Sequence, residues 1–365
     1  TYKTKQMNVD LSVPIQPEDY IDEIHYWTPE HPNLYDVTVS YASDGQTDQV
    51  FTYFGFRDVC TRDGKTLLNH RPIYQRLILH QGYYDGGLLT ADTDERYRTD
   101  LQTIKDMGFN GVRMHQKIED PLFYYWADKL GLLVWGELPS CYEFSELAMR
   151  RSFESMREFI QRDYNHPSIV CWVPLNESWG VRNIEQNAAQ QRYAVSLYHF
   201  IKAMDATRWV STNDGWEQVT TDFCTLHDYS FDGKALSSRW DDLDALLQSA
   251  AQDRMIFASG YQYTGQPILL TEFGGVAFKT NQSEKDWGYC AIEKNEASYV
   301  RRLTSLFSYI KTNRRIQGYC YTQFTDVMQE TNGLLSIRRE PKIAIDVIRA
   351  ILFGTDDSEP LFPVP

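Results

Sequence analysis

The chain has 365 residues, 42% of them hydrophobic, enough for one large domain with a small one beside it. Fifty acidic against 36 basic residues leave a formal charge of −14, which argues against nucleic acid and anionic membranes as partners and favours a neutral ligand. Aromatic residues make up 14% of the chain; most must pack a core, and the rest supply the flat apolar faces that sugars commonly need.

Residues 1 to about 60 read as all-β. LYDVTVSYA and QVFTYFGFR alternate polar and apolar residues between Pro and Gly turns, as sandwich strands do, and RDGKTLLNHRPIYQ reads as a hairpin leading onward. The piece is short of the roughly 100 residues of an immunoglobulin-like sandwich, so a partial one is expected. From residue 73 strand and helix periods alternate. IYQRLILHQ predicts a first strand, and DERYRTDLQTIKDMG a helix closed by Gly108. FNGVRMH and LLVWGEL predict strands two and three, on either side of PLFYYWADKLG, a helix with Pro121 in its first turn and Gly131 at its end. A helix over 146–164, the strand SIVCWVPLN and a helix over 185–204 follow. RWVSTND, DFCTLHDYS and QPILLTEFG predict strands five to seven; a helix over 296–312, the strand RIQGYCYTQ and the segment PKIAIDVIRAILFG complete the series.

The expected fold is α/β: a (β/α)8 TIM barrel over 61–355, preceded by a partial immunoglobulin-like β-sandwich over 1–60 and followed by a tail over 356–365. HQGYYDGG after the first strand lacks the glycine spacing of a phosphate turn, against a doubly wound open sheet.

Two glutamates carry the chemistry. Glu177 in IVCWVPLNESWG and Glu272 in PILLTEFGG each end an apolar run before small or turn-forming residues, where a barrel places catalytic side chains. Retaining glycoside hydrolysis needs two such carboxylates, one to protonate the leaving oxygen and one to attack the anomeric carbon, about 5 to 5.5 Å apart. Asn176 precedes the first and is either a ligand or a local backbone cap. His80, His115 and His227 end strands one, two and six, where neutral imidazoles suit sugar hydroxyls. Arg113 either keeps a carboxylate ionised or forms a structural ion pair.

At this point the chain is seen to resemble glycoside hydrolase family 2, whose members include β-galactosidases, β-glucuronidases and β-mannosidases. NHPSIVCWVPLNESWG is similar to the family's acid/base block, TEFGG to its nucleophile block, and GVRMH to its second-strand block. WTPEHPNLYDVTV with GFRDV resembles the end of the sandwich that precedes the barrel there. The resemblance implies Glu177 as acid/base, Glu272 as nucleophile, Asn176 on the sugar 2-hydroxyl, sugar contacts from His80 and His115, and Tyr229 hydrogen-bonded to the nucleophile. It also implies that an amino-terminal sugar-binding jelly roll is missing from this chain. Where many relatives carry a tryptophan platform on the eighth strand, YCYTQFTD has Tyr321, Thr322 and Gln323, so Gln323 is a candidate sugar contact there and Trp179 or Trp216 is a substitute floor or plain loop packing. DVMQETNG lacks the lysine with which glucuronidases of the family hold a sugar carboxylate, so a β-galactoside or another neutral glycoside is expected.

Six scattered cysteines form no CxxC pair and no metal spacing, so no zinc or transition metal and no organic cofactor is expected, with Mg or Na left open by the resemblance. Apolar surroundings of Cys171, Cys224 and Cys320 favour a reducing, cytoplasmic compartment. Asp85 and Asp326 read as solvated loop acids or N-caps rather than hydroxyl ligands. EKDWGYC, beside the nucleophile, is either an aglycone subsite or a homo-oligomer contact, and Asn281-Gln282-Ser283 matters only in a secreted chain.

Overall fold

The structure is a computed structural model that describes residues 24–354, apart from 249, 252–253, 280–284 and 290. Strands β1 (Tyr35–Ser43) and β2 (Gln46–Phe54) pair antiparallel through the tight turn Asp44–Gly45, both residues at positive φ. Strands β3 (Val59–Arg62), β4 (Lys65–Leu68) and β5 (Arg71–Pro72) make a three-stranded antiparallel sheet where the sequence suggested a simple hairpin.

Eight parallel strands form the main sheet: β6 (Gln75–His80), β7 (Gly111–Met114), β8 (Leu133–Glu137), β9 (Ile169–Val173), β10 (Trp209–Val210), β11 (Cys224–Asp228), β14 (Ile268–Gly274) and β15 (Ile316–Thr322). Between the last three, β12 (Ala250–Ala251) and β13 (Arg254–Met255) form a separate short ribbon. The sheet order is β10-β9-β8-β7-β6-β15-β14-β11, a TIM-barrel-like arrangement. Its two end strands meet through side chains rather than a main-chain ladder. Gln218 donates Nε2 to the Thr225 carbonyl at 2.6 Å and accepts from the Thr225 amide at 3.1 Å, and Asp222 Oδ2 accepts from Val210 N at 2.8 Å.

Helices α1 (Asp94–Asp106), α2 (Pro121–Leu130), α3 (Glu146–Asp163), α4 (Ala188–Met204), α5 (Gly233–Trp240), α6 (Leu243–Gln248), α7 (Glu296–Thr312) and α8 (Ile345–Phe353) follow the strands. Caps set their starts as the sequence chemistry requires: Asp120, Ser145, Asn187, Asp232 and Asn295 each accept from a first-turn amide. Helices α5 and α6 were not foreseen, because KALSSRWDDLDALLQ is too short and polar to present a clear helical period.

Strand parity divides the core. Leu77, Leu79, Leu133, Trp135, Cys171, Val173, Leu269 and Cys320 pack together inside the sheet. Ile78, Val112, Met114, Val134, Trp172, Leu226, Leu270 and Tyr321 pack against the helical layer. Consequently Arg113 and Glu137 point inward, whereas His80, in phase with Ile78, points outward. Cys60, Cys141, Cys171, Cys224 and Cys320 are free thiols. Among the described residues no helix is long and apolar enough to cross a membrane.

Candidate active site

Glu272 owes its orientation to a bulge. In the ladder to β11, Leu226 pairs with Leu270 and His227 with Glu272, leaving Thr271 as an extra residue. Leu270 faces the helices, so strict alternation would send Glu272 outward as well; the extra residue resets the parity and brings Glu272 round to Arg113. Glu177 lies past the end of β9, at φ +50°, followed by Ser178 at φ +56°. Such left-handed geometry at two non-glycine residues costs of order 1–3 kcal/mol each and persists only where neighbours impose it. Here Glu177 N donates to the Asp214 carbonyl at 2.9 Å, Ser178 N to Asn213 Oδ1 at 3.0 Å, and Ser178 Oγ to Glu217 Oε2 at 2.6 Å.

The Glu177 and Glu272 carboxylates approach each other closely. One carboxylate oxygen of each and a ring nitrogen of His227 all lie within 4.8 Å of one another. That spacing fits direct attack by one carboxylate and leaves no room for the intervening water of an inverting site, where the groups stand about 6.5–9.5 Å apart.

Arg113, fully buried, organises the floor. Its Nε donates to Glu137 Oε2 at 2.8 Å, Nη1 to Glu272 Oε1 at 2.8 Å, and Nη2 to Asn176 Oδ1 at 2.7 Å, while Asp214 Oδ2 lies 2.9 Å from Nη1. It therefore contacts the nucleophile candidate and a structural pair at once, with each of its three nitrogens already engaged. On its other oxygen Glu272 accepts from the Tyr229 hydroxyl at 2.5 Å. Burial raises the Glu272 carboxyl, and the nearby Glu177 adds to this, against the pull of His227, Arg113 and the Tyr229 hydrogen bond. Burial likewise pushes Glu137 up to about 7 against the pull of Arg113. Asp214, despite burial, is held well below the usual carboxylate range by Arg113 and His227.

The other expected site residues divide. Asn176 has its oxygen taken by Arg113, so its amide nitrogen is what it can offer a sugar hydroxyl. His115 is part-exposed, with Nδ1 3.9 Å from Glu272 Oε1, and burial beside Arg113 holds it well below its ordinary value, hence neutral and suited to a hydroxyl. Trp179 stands at the rim, edge-on to Tyr142 with the Arg182 guanidinium 4.2 Å above its ring. Trp216 is buried against His227 at 5.5 Å.

Four expectations are corrected. His80 does not reach the site: its Nδ1 accepts from Gly82 N at 2.8 Å, its Nε2 faces Asp100 at 3.5 Å, and its ring packs on Phe123 and Phe324. His227 is inside, but both ring nitrogens face carboxylates, Glu177 Oε1 at 2.7 Å and Asp214 Oδ2 at 3.0 Å, so it offers nothing to a sugar hydroxyl. Gln323 spends its amide on Gln81, Glu330 and Asn332. Asp326, expected as a solvated loop acid or an N-cap, is buried in an ion pair with Lys342 at 2.7 Å, while Asp85 meets Arg338 on the exposed surface. The motif at 281–283 lies outside the described residues.

Sequence reasoning missed Glu137, Asp214 and Tyr289. Glu137 ends the apolar run LLVWGE as Glu177 and Glu272 end theirs, so the same signal was available. Asp214 ends RWVSTND, where the polar Ser211, Thr212 and Asn213 before it give no such signal. Tyr289 stacks on Tyr229, with ring centroids 4.2 Å apart and planes at 6°; the sequence singles out the segment EKDWGYC that holds it, but not this residue as the partner of Tyr229. The Glu177, His227 and Glu272 atoms have a spacing that would surround a cation, but His227 already supplies positive charge there. Burial opposes that charge, yet Glu272, Asp214 and Glu177 push the ring up to about 10.

Two carboxylates facing each other across the carboxyl ends of a parallel, TIM-barrel-like sheet define a glycoside-hydrolase arrangement. The chain belongs to glycosyl hydrolases family 2: the family's TIM barrel domain matches residues 59–351, and a second family 2 domain matches residues 2–57. A β-galactosidase from Thermoanaerobacterium thermosulfurigenes is 32% identical over 293 residues, covering 77% of this chain and 37% of the relative. A β-glucuronidase from Streptococcus agalactiae is 27% identical over 353 residues, covering 88% and 57%. The solved structure of a family 2 β-galacturonidase from Eisenbergiella tayi, bound to galacturonate, has the same fold. Its TM-score is 0.72 at 22% identity, covering 91% of this chain and 60% of that one. The chain spans between 18% and 57% of the length of the curated relatives it matches.

Proposed function

We propose that the chain carries the catalytic centre of a retaining β-glycosidase of β-galactosidase type, acting on terminal β-linked sugars by double displacement. The observation that carries the reading is the 4.8 Å grouping of Glu177 and Glu272 at the carboxyl ends of the strands. Glu272, held by Arg113 and Tyr229, attacks the anomeric carbon while Glu177 protonates the departing oxygen. Water then attacks the glycosyl-enzyme with Glu177 as base, and Glu272 leaves as a carboxylate. The Asn176 amide and neutral His115 hold sugar hydroxyls.

A neutral sugar is favoured over a uronate by charge. Glu330, nearly buried between Gln81 and Gln323, raises the negative density beside Glu272, while Lys117, Lys279 and Lys342 are each paired with a carboxylate. In this reading β1 and β2 belong to a partial immunoglobulin-like sandwich that precedes the barrel domain. No organic cofactor or zinc is required, and any Mg or Na ion serves as an oxygen-liganded accessory.

The test is a panel of aryl β-glycosides, neutral and uronic, with Glu177→Ala and Glu272→Ala. With dinitrophenyl β-galactoside, azide should raise turnover of Glu177→Ala and yield the β-azide, and should yield the α-azide from Glu272→Ala. Exchanged products would exchange the roles. If neither substitution lowered turnover by about 10²-fold, a carbohydrate-binding barrel would replace the enzyme reading.

A further inference from the structure

His227 has a carboxylate at each ring nitrogen, Glu177 Oε1 at 2.7 Å from Nδ1 and Asp214 Oδ2 at 3.0 Å from Nε2. A neutral imidazole has a single N–H and would turn a lone pair toward one of these carboxyl groups; the imidazolium donates to both, and with the Glu177 proton on Oε2 its Oε1 still accepts. Every group around the ring bears on this choice. Glu272 Oε2 lies 3.6 Å from Nδ1 and adds a further carboxylate. Arg113 Nη1, 3.5 Å from Nε2, opposes the charge, but it is itself shared among Glu137, Asp214 and Glu272. His115 is held neutral. The ring is closely flanked: Trp216 lies T-shaped to it with centroids 5.5 Å apart, and the Gly215 backbone is so near that an added Cβ would lie only 2.7 Å from Nδ1 and Cε1. Asp214 fixes the assembly twice, its side chain accepting from His227 and its carbonyl accepting from Glu177 N at 2.9 Å.

We propose that His227, held as a cation by Asp214, is the positioning residue for proton transfer by Glu177: it fixes Oε1 and leaves Oε2 to address the glycosidic oxygen. The inference rests on the retaining-glycosidase reading. In the first step the Glu177 proton passes to the leaving oxygen, the C–O bond breaks, and Glu272 bonds to the anomeric carbon. A negative charge thus appears on Glu177, 2.7 Å from a cation already in place. In the second step water attacks the anomeric carbon, Glu177 takes the water proton, and the bond to Glu272 breaks. His227 gains and loses no proton in either step. Its attraction grows as the Glu177 proton departs, so it lowers the barrier of the first step more than it tightens substrate binding.

The test compares a methyl β-galactoside, whose leaving group needs protonation, with the dinitrophenyl β-galactoside, whose leaving group needs little. Wild type, His227→Ala, His227→Asn, His227→Gln and Glu177→Ala are measured together, with melting temperatures to register folding. Replacing His227 by Ala should lower kcat for the methyl glycoside at least about 10²-fold more than for the dinitrophenyl glycoside, with KM little moved. The Asn amide nitrogen overlays Nδ1 and can still donate to Glu177, whereas that of Gln overlays Nε2 and cannot. Asn should therefore recover part of the methyl-glycoside rate, and Gln should not. Equal losses on both substrates, or recovery by Gln rather than Asn, would overturn the inference; if the Ala variant fails to fold, the Asn–Gln comparison decides. A leaving-group-selective loss in Glu177→Ala alone would sink this role for His227 and leave the glycosidase reading standing. Wild-type rates in Glu177→Ala would sink both.

Discussion

Replacing Tyr229 by Phe removes the hydroxyl that donates to Glu272 Oε2 at 2.5 Å and leaves the ring, with its stack on Tyr289, in place. The other oxygen of Glu272 keeps its 2.8 Å bond from Arg113, so the nucleophile stays anchored at one end. A hydrogen bond to a charged group is worth about 1.5–3 kcal/mol, which corresponds to about a 10- to 140-fold loss of rate if it is felt fully in the transition state. The loss should fall on the second step, where Glu272 must depart as a carboxylate and the phenol stabilises the charge it regains. Stopped-flow release of dinitrophenolate should therefore show a burst approaching the enzyme concentration, followed by a slow steady state with lowered kcat and lowered KM. The pH profile has a definite sign as well. Burial raises Glu272, and the Tyr229 hydrogen bond is one of the influences that lower it, so its removal raises Glu272 further. The acid limb of kcat/KM, which requires ionised Glu272, should shift to higher pH, with activity lost sooner on acidification. A loss below about threefold with no burst would refute the assignment of Tyr229 to the nucleophile.

Two further substitutions probe the scaffold. Asp128, fully buried, accepts from Tyr53 on β2 at 2.6 Å and from Ser168 N at 2.9 Å, and pairs with His166 at 2.5 Å, so Asp128→Ala should destabilise the protein by about 3–5 kcal/mol in denaturant unfolding. A cost under about 1 kcal/mol would mean that the hairpin is not anchored through this cluster. Gly215 sits at φ +103° against the His227 ring, so Gly215→Ala should cost at least about 1 kcal/mol in stability and about tenfold in kcat, whereas unchanged activity would show that the ring has room to move.

The order of strands and helices was legible because apolar runs of five to seven residues alternate with amphipathic stretches bounded by Asp, Ser, Asn and Gly. The two glutamates were legible because a charge closing an apolar strand is out of place unless something uses it. Direction was harder to read. His80 and His227 both end strands, yet one is in phase with the outward Ile78 and the other turns inward after the outward Leu226. Only the assembled sheet tells which phase is which. The short fifth strand and its neighbour were overextended in the reading, since WVSTND continues as a loop whose polar side chains bond across to Ser178 and His227. Partners such as Asp214 and Glu177 come from separate strand ends, and no local pattern links them.

The join between β10 and β11 gives the interval between the two carboxylates an unusual origin. Around the sheet by one route, four strands in continuous main-chain pairing lie between β9, which leads to Glu177, and β14, which carries Glu272; by the other lie only β10 and β11, whose join, beside a main-chain bond from Asp222 N to the Val210 carbonyl, is made by amide, hydroxyl and carboxylate side chains. Main-chain spacing is invariant, but side chains can be exchanged one at a time. The distance that decides between direct displacement and water attack is thus open to adjustment by substitutions at Gln218, Thr225 or Asp214, without rebuilding a strand. Family members with altered outcomes, natural or engineered, are to be sought along that short arc.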